Sequence, residues 1–252
     1  MKRFKSFILL CLAIAIFTAC GTSSNLANAY YVEYQQEQFG YEDLRAVEDR
    51  MNEQTNQMQA AHQMAEAARA LGYDDSHSII QTAKREYADA RKLYLDYKAI
   101  HDDLELHWRA KESEYPTAAY IWSYLKDLGY SDAVVAGIMG NLMAETGGHT
   151  LALKWNSQTP SYYGICQWNK NYSEIWGASL EGQCNFLRDT IKYELNTFGY
   201  MYKKGFSYDT FLTIQNPKDA ALAFAKSYER CGSDTYKLRQ ECAVEAYNYF
   251  VA

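Results

Sequence analysis

No proline interrupts the chain between about Tyr41 and Lys111, a stretch dominated by Ala, Glu, Gln and Arg. A backbone filled with helix formers and free of that breaker has few options besides long helices. Leu44, Val47, Met51, Gln54, Met58, Ala61, Ala65 and Ala68 recur in alternating steps of three and four. So do Ile80, Ala83, Tyr87, Ala90, Tyr94, Tyr97, His101, Leu104 and Trp108. Each run is a heptad seam. Between them, Gly72-Tyr73-Asp74-Asp75-Ser76 reads as a turn followed by a helix cap. The pattern predicts an antiparallel, coiled-coil-like helical hairpin in which small Ala positions face large Tyr ones. Its arms would be roughly 45 Å long at about 1.5 Å per residue. Glu112-Ser113-Glu114-Tyr115-Pro116 ends the second helix, which sets an arm over 30–115 and a further domain over 116–252. The arm reads as a spacer, as a docking surface for a protein partner, or as a scaffold with no specific partner.

The second domain turns on Ala136–Trp168. Ala136, Ile138, Met139, Leu142 and Met143 form an apolar helical run, preceded by Ser131 and Asp132 as caps and stopped by Gly147-Gly148 after Glu145-Thr146. Gly137 and Gly140 cost about 1 kcal/mol each inside a helix, so their presence implies that another element packs closely there. Further helices are expected over Thr117–Leu128, from Ser179 through Leu195, from Asn216-Pro217 (cap and first position) and over Thr235–Phe250, with loops and one short hairpin between Gly147 and Trp168. Trp122, Trp176 and Phe250 read as core. The fold class is mainly α with a small β element.

Glu145 stands at the end of this apolar helix. The negative end of the helix macrodipole and apolar neighbours both disfavour the charged form of such a carboxyl, which suits a general acid for a glycosidic oxygen. Asn141 lies one turn earlier on the same face. Tyr162-Tyr163-Gly164-Ile165-Cys166-Gln167-Trp168 follows some twenty residues on, with aromatic faces of the kind that stack on sugars and an amide that bonds hydroxyl and N-acetyl groups.

GIMGNLMAETGG followed by YYGICQWN resembles the phage-tail lysozyme family, whose pattern is close to G-I-x-G-N-x-x-x-E-(S/T) and then (Y/A)-G-(L/I)-x-Q-W. The resemblance covers about Pro116 to Ala252, with both motifs in order and suitably spaced. It implies a lysozyme-like domain that cleaves the glycan strands of peptidoglycan, at the β-1,4 bond between MurNAc and GlcNAc. Glu145 would be the catalytic acid and Gly164, Gln167 and Trp168 part of the facing hairpin wall. With Asn141 and Tyr163 these are the candidate substrate-binding residues. Glycoside hydrolysis ordinarily uses two carboxylates. Glu174 and Asp132 are candidates for the second, though Asp132 is better explained as a helix-start residue. Some lysozyme-like enzymes act with one Glu, and use of the substrate's own hydroxyl would make the reaction lytic transglycosylation.

A net charge of −6 argues against nucleic acid as a partner, because phosphate binding needs basic patches. No cluster has zinc-ligand spacing, the five histidines are scattered, and neither metal nor cofactor is expected. Lys2-Arg3-Lys5 ahead of an apolar run from Phe7 to Phe17 is a signal-peptide pattern, too short for a comfortable membrane span. Two endings compete within residues 1–29. Phe17-Thr18-Ala19-Cys20 resembles a lipobox, with Cys20 as the lipidation candidate and a tether-like Gly-Thr-Ser-Ser-Asn run after it, although Phe17 stands where Leu is usual. Ala27-Asn28-Ala29 resembles an ordinary cleavage site. A retained N-terminal anchor is the third option. All three place the protein outside the cytoplasm, lipid-anchored to the cell membrane, held by the retained anchor, or secreted.

In an oxidising compartment Cys166, Cys184, Cys231 and Cys242 fit two disulfides, with three connectivities open. Cys166–Cys184 and Cys231–Cys242 are expected because each closes a short loop. Two rival readings remain: a cysteine peptidase using Cys166 with His149, and a wall-binding module that has kept its groove without activity.

Overall fold

The computed structural model describes residues 41–251. The signal segment and Cys20 lie outside the described residues. Two compact units meet in sequence at Leu106–His107.

The first unit is built from α1 (Tyr41–Ala70) and most of α2 (Ser78–Glu114). Asp74 and Asp75 hold the connection: the Asp74 carboxylate accepts from the Ser76 amide and hydroxyl, and Asp75 takes Arg69 and Lys84. Antiparallel pairing brings Ala65 against Ala83 near the turn and Glu48 to 3.6 Å from His101 farther out. On α1 the seam follows the heptad pattern, with Leu44, Val47, Gln54, Ala61, Ala65 and Ala68 buried. On α2 it departs. Leu93 and Ile100 are buried, whereas Tyr87 is 43% exposed. A helix advances 3.6 residues per turn, so a straight stripe drifts off a strict heptad register and the larger aliphatic side chains take the seam. His101, Asp102 and Glu105 bring possible ligand atoms within 4.8 Å of one another, but Lys98 already pairs with Asp102.

The second unit is a helical domain wrapped around one buried helix. After α3 (Pro116–Asp127) comes α4 (Asp132–Thr146), then a hairpin of β1 (Tyr162–Tyr163) and β2 (Trp168–Asn169). The rest is α5 (Leu180–Phe198), α6 (Tyr208–Leu212), α7 (Pro217–Phe224) continued by a π turn over Ala225–Glu229, and α8 (Tyr236–Val251). Among the described residues the only sheet is this hairpin, in the register Tyr162↔Asn169 and Tyr163↔Trp168. The fold is mainly α with a small β-hairpin, as the sequence predicts.

Ser131 caps α4 by accepting from the Val134 amide, and every residue from Ala133 to Met143 is buried. Such a helix has apolar side chains all round because it has neighbours all round. α7 crosses it at Gly137, where an added Cβ would lie 2.4 Å from the Ala220 Cβ. α8 crosses at Gly140, and α3 packs alongside. The end of α2 joins this unit: Trp108 meets Phe250 with ring centroids 5.9 Å apart, and Phe250 stacks on Trp122 at 4.5 Å. Among the described residues no helix is long and apolar enough to cross a membrane.

Candidate active site

Glu145 occupies the last turn of α4, with its side chain 21% exposed. Its partner was not foreseen. Arg239 on α8, 4% exposed, brings Nη2 to 2.5 Å from Glu145 Oε1. The same guanidinium donates to Asn141 Oδ1 at 3.1 Å and to the Thr235 hydroxyl at 3.2 Å. Asn141 is fully buried and donates through Nδ2 to the carbonyls of Gly137 and Ala221. Its amide is thus consumed by a chain of contacts running from α7 through Asn141 and Arg239 to Glu145. In this structure Asn141 fixes the arginine and offers nothing to a ligand.

The hairpin wall also divides its labour differently from the sequence reading. Successive strand residues face opposite sides, and Tyr163 faces inward, packing on Trp176, while Tyr162 is 47% exposed and lines a cavity of about 150 Å³. Trp168 is 7% exposed, donates from Nε1 to the Tyr228 hydroxyl at 3.0 Å and meets Phe186 edge-on. It is anchored in the wall, so the aromatic side chains that reach the cavity with freer faces are Tyr162 and Tyr172. Gln167, in the left-handed region at φ +47°, donates Nε2 to the carbonyls of Gly164 and Ser157 and so closes the turn. Gly164, at φ +82°, lies where a Cβ would fall 2.5 Å from Gln183 Oε1. That oxygen accepts from the Ile165 amide, and Gln183 Nε2 donates to the carbonyls of Trp155 and Ala178. Gln183, buried on α5, is the staple that sets the wall's position.

The same cavity is lined by Cys166, Gln167, Thr190, Tyr228, Glu229 and Arg230. The π turn ends α7 with one residue more per turn than an α-helix, and Arg230 leaves it at φ +51°. Such insertions re-aim side chains and recur at functional sites. Here the turn carries Tyr228 and Glu229 to the hairpin. Glu229 Oε1 is buried without an N–H or O–H donor in the protein, with the Cys166 thiol beside the carboxyl. Burial first, and then the negative charge of Glu145, push the Glu229 carboxyl up to about 8, against the opposing pull of Arg239. Glu145 is not part of the cavity wall, but this electrostatic contact ties it to the residue that is.

The raised Glu229 value has a thermodynamic consequence. Unfolding returns it to the ordinary carboxyl range, so its contribution to stability is full below that range and is lost as pH rises through about 8. A denaturation series should therefore show stability falling between those limits, by at most about 1.4 kcal/mol per pH unit. Glu229→Gln is expected to flatten that slope.

The remaining candidates separate cleanly. Asp132 pairs with Lys126 at 2.9 Å at the opposite end of α4 from Glu145, and Glu174 is exposed on a short 3-10 turn. All four described cysteines are free thiols in the structure, without the expected Cys166–Cys184 and Cys231–Cys242 bridges. Cys166 lies against Glu229 and also feels Cys184, which in turn feels Glu181 on α5. Cys231 contacts the Ala225 carbonyl and Thr235, and Cys242 points toward the His149 carbonyl. Cys166 also fails as a nucleophile, because burial and the charges of Glu229 and Glu145 push its thiol well above the ordinary range. A reactive thiolate needs the reverse.

With a buried helix ending in a carboxyl, an arginine holding it and a hairpin wall beyond, the family comparison has a structure to land on. The family model for phage tail lysozyme matches residues 116–250. The chain belongs to the phage tail lysozyme family. A comparison with curated proteins finds no match. Family membership makes this a lysozyme-like protein whose substrate class is peptidoglycan. Its second compact unit contains the whole matched span. Sequence reasoning missed Arg239, Glu229, Tyr162 and Gln183. Of these only Tyr162 carried a local signal, the period-two alternation of a strand.

Proposed function

We propose that the protein cleaves the β-1,4 bond between MurNAc and GlcNAc in peptidoglycan, outside the cytoplasm, with Glu145 as general acid. The observation that carries this reading is the partly exposed Glu145 carboxyl held at 2.5 Å by the buried Arg239. Proton donation to the glycosidic oxygen leaves Glu145 as an anion, and a guanidinium already seated against it stabilises the charge that develops. Arg239 and Asn141 act as positioning residues through that contact. Tyr162, Tyr172 and Gln167 offer the cavity-side surface for sugar rings and their polar substituents.

The basic start and apolar run ahead of Cys20 support export, with Cys20 as the lipid tether. The helical hairpin then serves as the spacer between the tether and the domain over 116–252.

Mass spectrometry of fragments released from purified peptidoglycan tests the reaction. MurNAc reducing ends are expected. 1,6-Anhydro-MurNAc ends would keep glycan cleavage but make it transglycosylation. Release of stem peptides alone, or of nothing, would overturn the reading.

A further inference from the structure

Glu229 is a buried carboxyl that the reading above does not use. It reaches the cavity wall from the π turn, beside Cys166 and Tyr228 and in electrostatic contact with Glu145. Buried acceptors in folded proteins find donors almost without exception, yet Glu229 Oε1 has no N–H or O–H donor in the protein, and only the weak thiol donor of Cys166 stands beside the carboxyl. An acceptor held without such a donor at the edge of a polar cavity has the makings of a seat for water.

The geometry points to Glu229 as the second catalytic carboxyl, the base that takes a proton from the water attacking the anomeric carbon while Glu145 protonates the leaving oxygen. This deepens the glycan-cleavage reading, rests on it, and makes the reaction hydrolysis. The step balances as follows. The water oxygen forms the new bond to C1, and one water proton passes to the Glu229 carboxylate. The C1–O bond to the leaving sugar breaks, and its electron pair takes the proton of Glu145. One proton moved from Glu229 back to Glu145 through solvent restores the pair.

The surroundings favour this direction of proton flow. At rest burial and the charge of Glu145 keep the shared proton on Glu229, so the reactive arrangement, with the proton on Glu145 and the anion on Glu229, is the minor one of the pair and the step relieves it. Afterwards the anion is on Glu145, where Arg239 receives it. The charged and titratable groups around Glu229 are Glu145 on α4, Arg239 on α8, Cys166 on the hairpin turn and its neighbours Tyr228 and Arg230. Glu194 on α5 is occupied by Arg230. The working form is the pair holding a single proton, and such pairs titrate jointly. Activity should therefore fall on the alkaline side as that proton is lost, near the value of about 8 to which Glu229 is pushed.

Three readouts on the full chain test the assignment. The wild-type pH–rate profile is expected to carry an alkaline limb near that pH. Glu229→Gln should lower the rate of glycan release by about a hundredfold or more, and its residual rate should lack the limb. Glu229→Ala should be partly restored by azide, which attacks C1 without needing a base, leaving glycosyl azide at the new MurNAc ends. A wild-type profile without the limb would overturn the assignment on its own, without any variant having to fold. A Glu229→Gln enzyme with wild-type rate and profile would do the same, as would 1,6-anhydro ends on the wild-type products. In each of these cases glycan cleavage, and its loss in Glu145→Gln, would stand. A wild type that releases no glycan at all would remove both readings together.

Discussion

Glu145→Gln should release no measurable glycan from peptidoglycan while keeping a cooperative thermal transition. Removing a general acid typically lowers turnover by about 10²–10⁴-fold, a larger change than any other single substitution here should produce. The amide keeps the shape of the carboxyl and can still accept from Arg239 Nη2, which the native contact reaches at 2.5 Å. The guanidinium also keeps Asn141 Oδ1 and the Thr235 hydroxyl as acceptors. What disappears is the charge in one hydrogen bond, worth about 1.5–3 kcal/mol at most. Folding should survive that loss, so a time course of fragment release paired with a circular dichroism melt separates chemistry from structure. Fragment release at the wild-type rate by a folded Glu145→Gln protein would remove Glu145 from the mechanism.

The sequence singles out Glu145 as a candidate but not the residues around it. A carboxyl closing an apolar helix ahead of paired glycines is a local pattern, complete within a dozen residues. Arg239 and Glu229 come near Glu145 only because α7 and α8 fold back across Gly137 and Gly140. Nothing near either residue in the chain marks it, and a π turn announces itself by hydrogen bonding, as in Arg230 to the Ala225 carbonyl, rather than by composition. Asn141 lies on the helix face of Glu145, and there its amide bonds the protein. Its face meets α7 and α8 before it meets solvent. In the hairpin, the strand period was readable while its phase was not. One residue's shift puts Tyr162 rather than Tyr163 on the cavity side.

Periodicity fared best where one neighbour does the packing. The α1 seam came through with Val47, Ala61 and Ala68 buried because a two-helix hairpin has one contact line. α4 carries no clear stripe, since α3, α7 and α8 enclose it. There the glycines were the informative residues. They marked the crossings that the apolar pattern, being the same on every side, could not. Cysteine pairing depends on where the sulfurs point, and Cys166 points to Glu229 while Cys242 points to the His149 carbonyl.

Gly140→Ala should destabilise the domain, although it adds only one methyl to a helix. An Ala ordinarily favours a helix interior over Gly by about 1 kcal/mol. At this position its Cβ would fall 2.4 Å from the Arg239 carbonyl oxygen and 2.6 Å from the Ala243 amide nitrogen. Both are backbone atoms of α8, which cannot swing aside as a side-chain tip would. Relief requires moving one helix against the other in a close-packed interior, for which overpacking by even one carbon costs about 1–3 kcal/mol. We expect a net loss of up to about 2 kcal/mol, seen as a Tm lowered by roughly 4–8 °C. Gly182→Ala is the control, because its Cβ would meet Ala178 and Ser179 at 3.4 and 3.5 Å, ordinary contact distances on α5. That variant should keep or slightly raise the wild-type Tm. The displacement in Gly140→Ala also has a chemical reading, since the α8 backbone it pushes is that of Arg239 itself. An outward shift of α8 lengthens the guanidinium contact to Glu145, so the fraction still folded at low temperature should release glycan more slowly than wild type. Full activity per folded molecule would mean that the Arg239–Glu145 contact holds shape alone and takes no part in the chemistry.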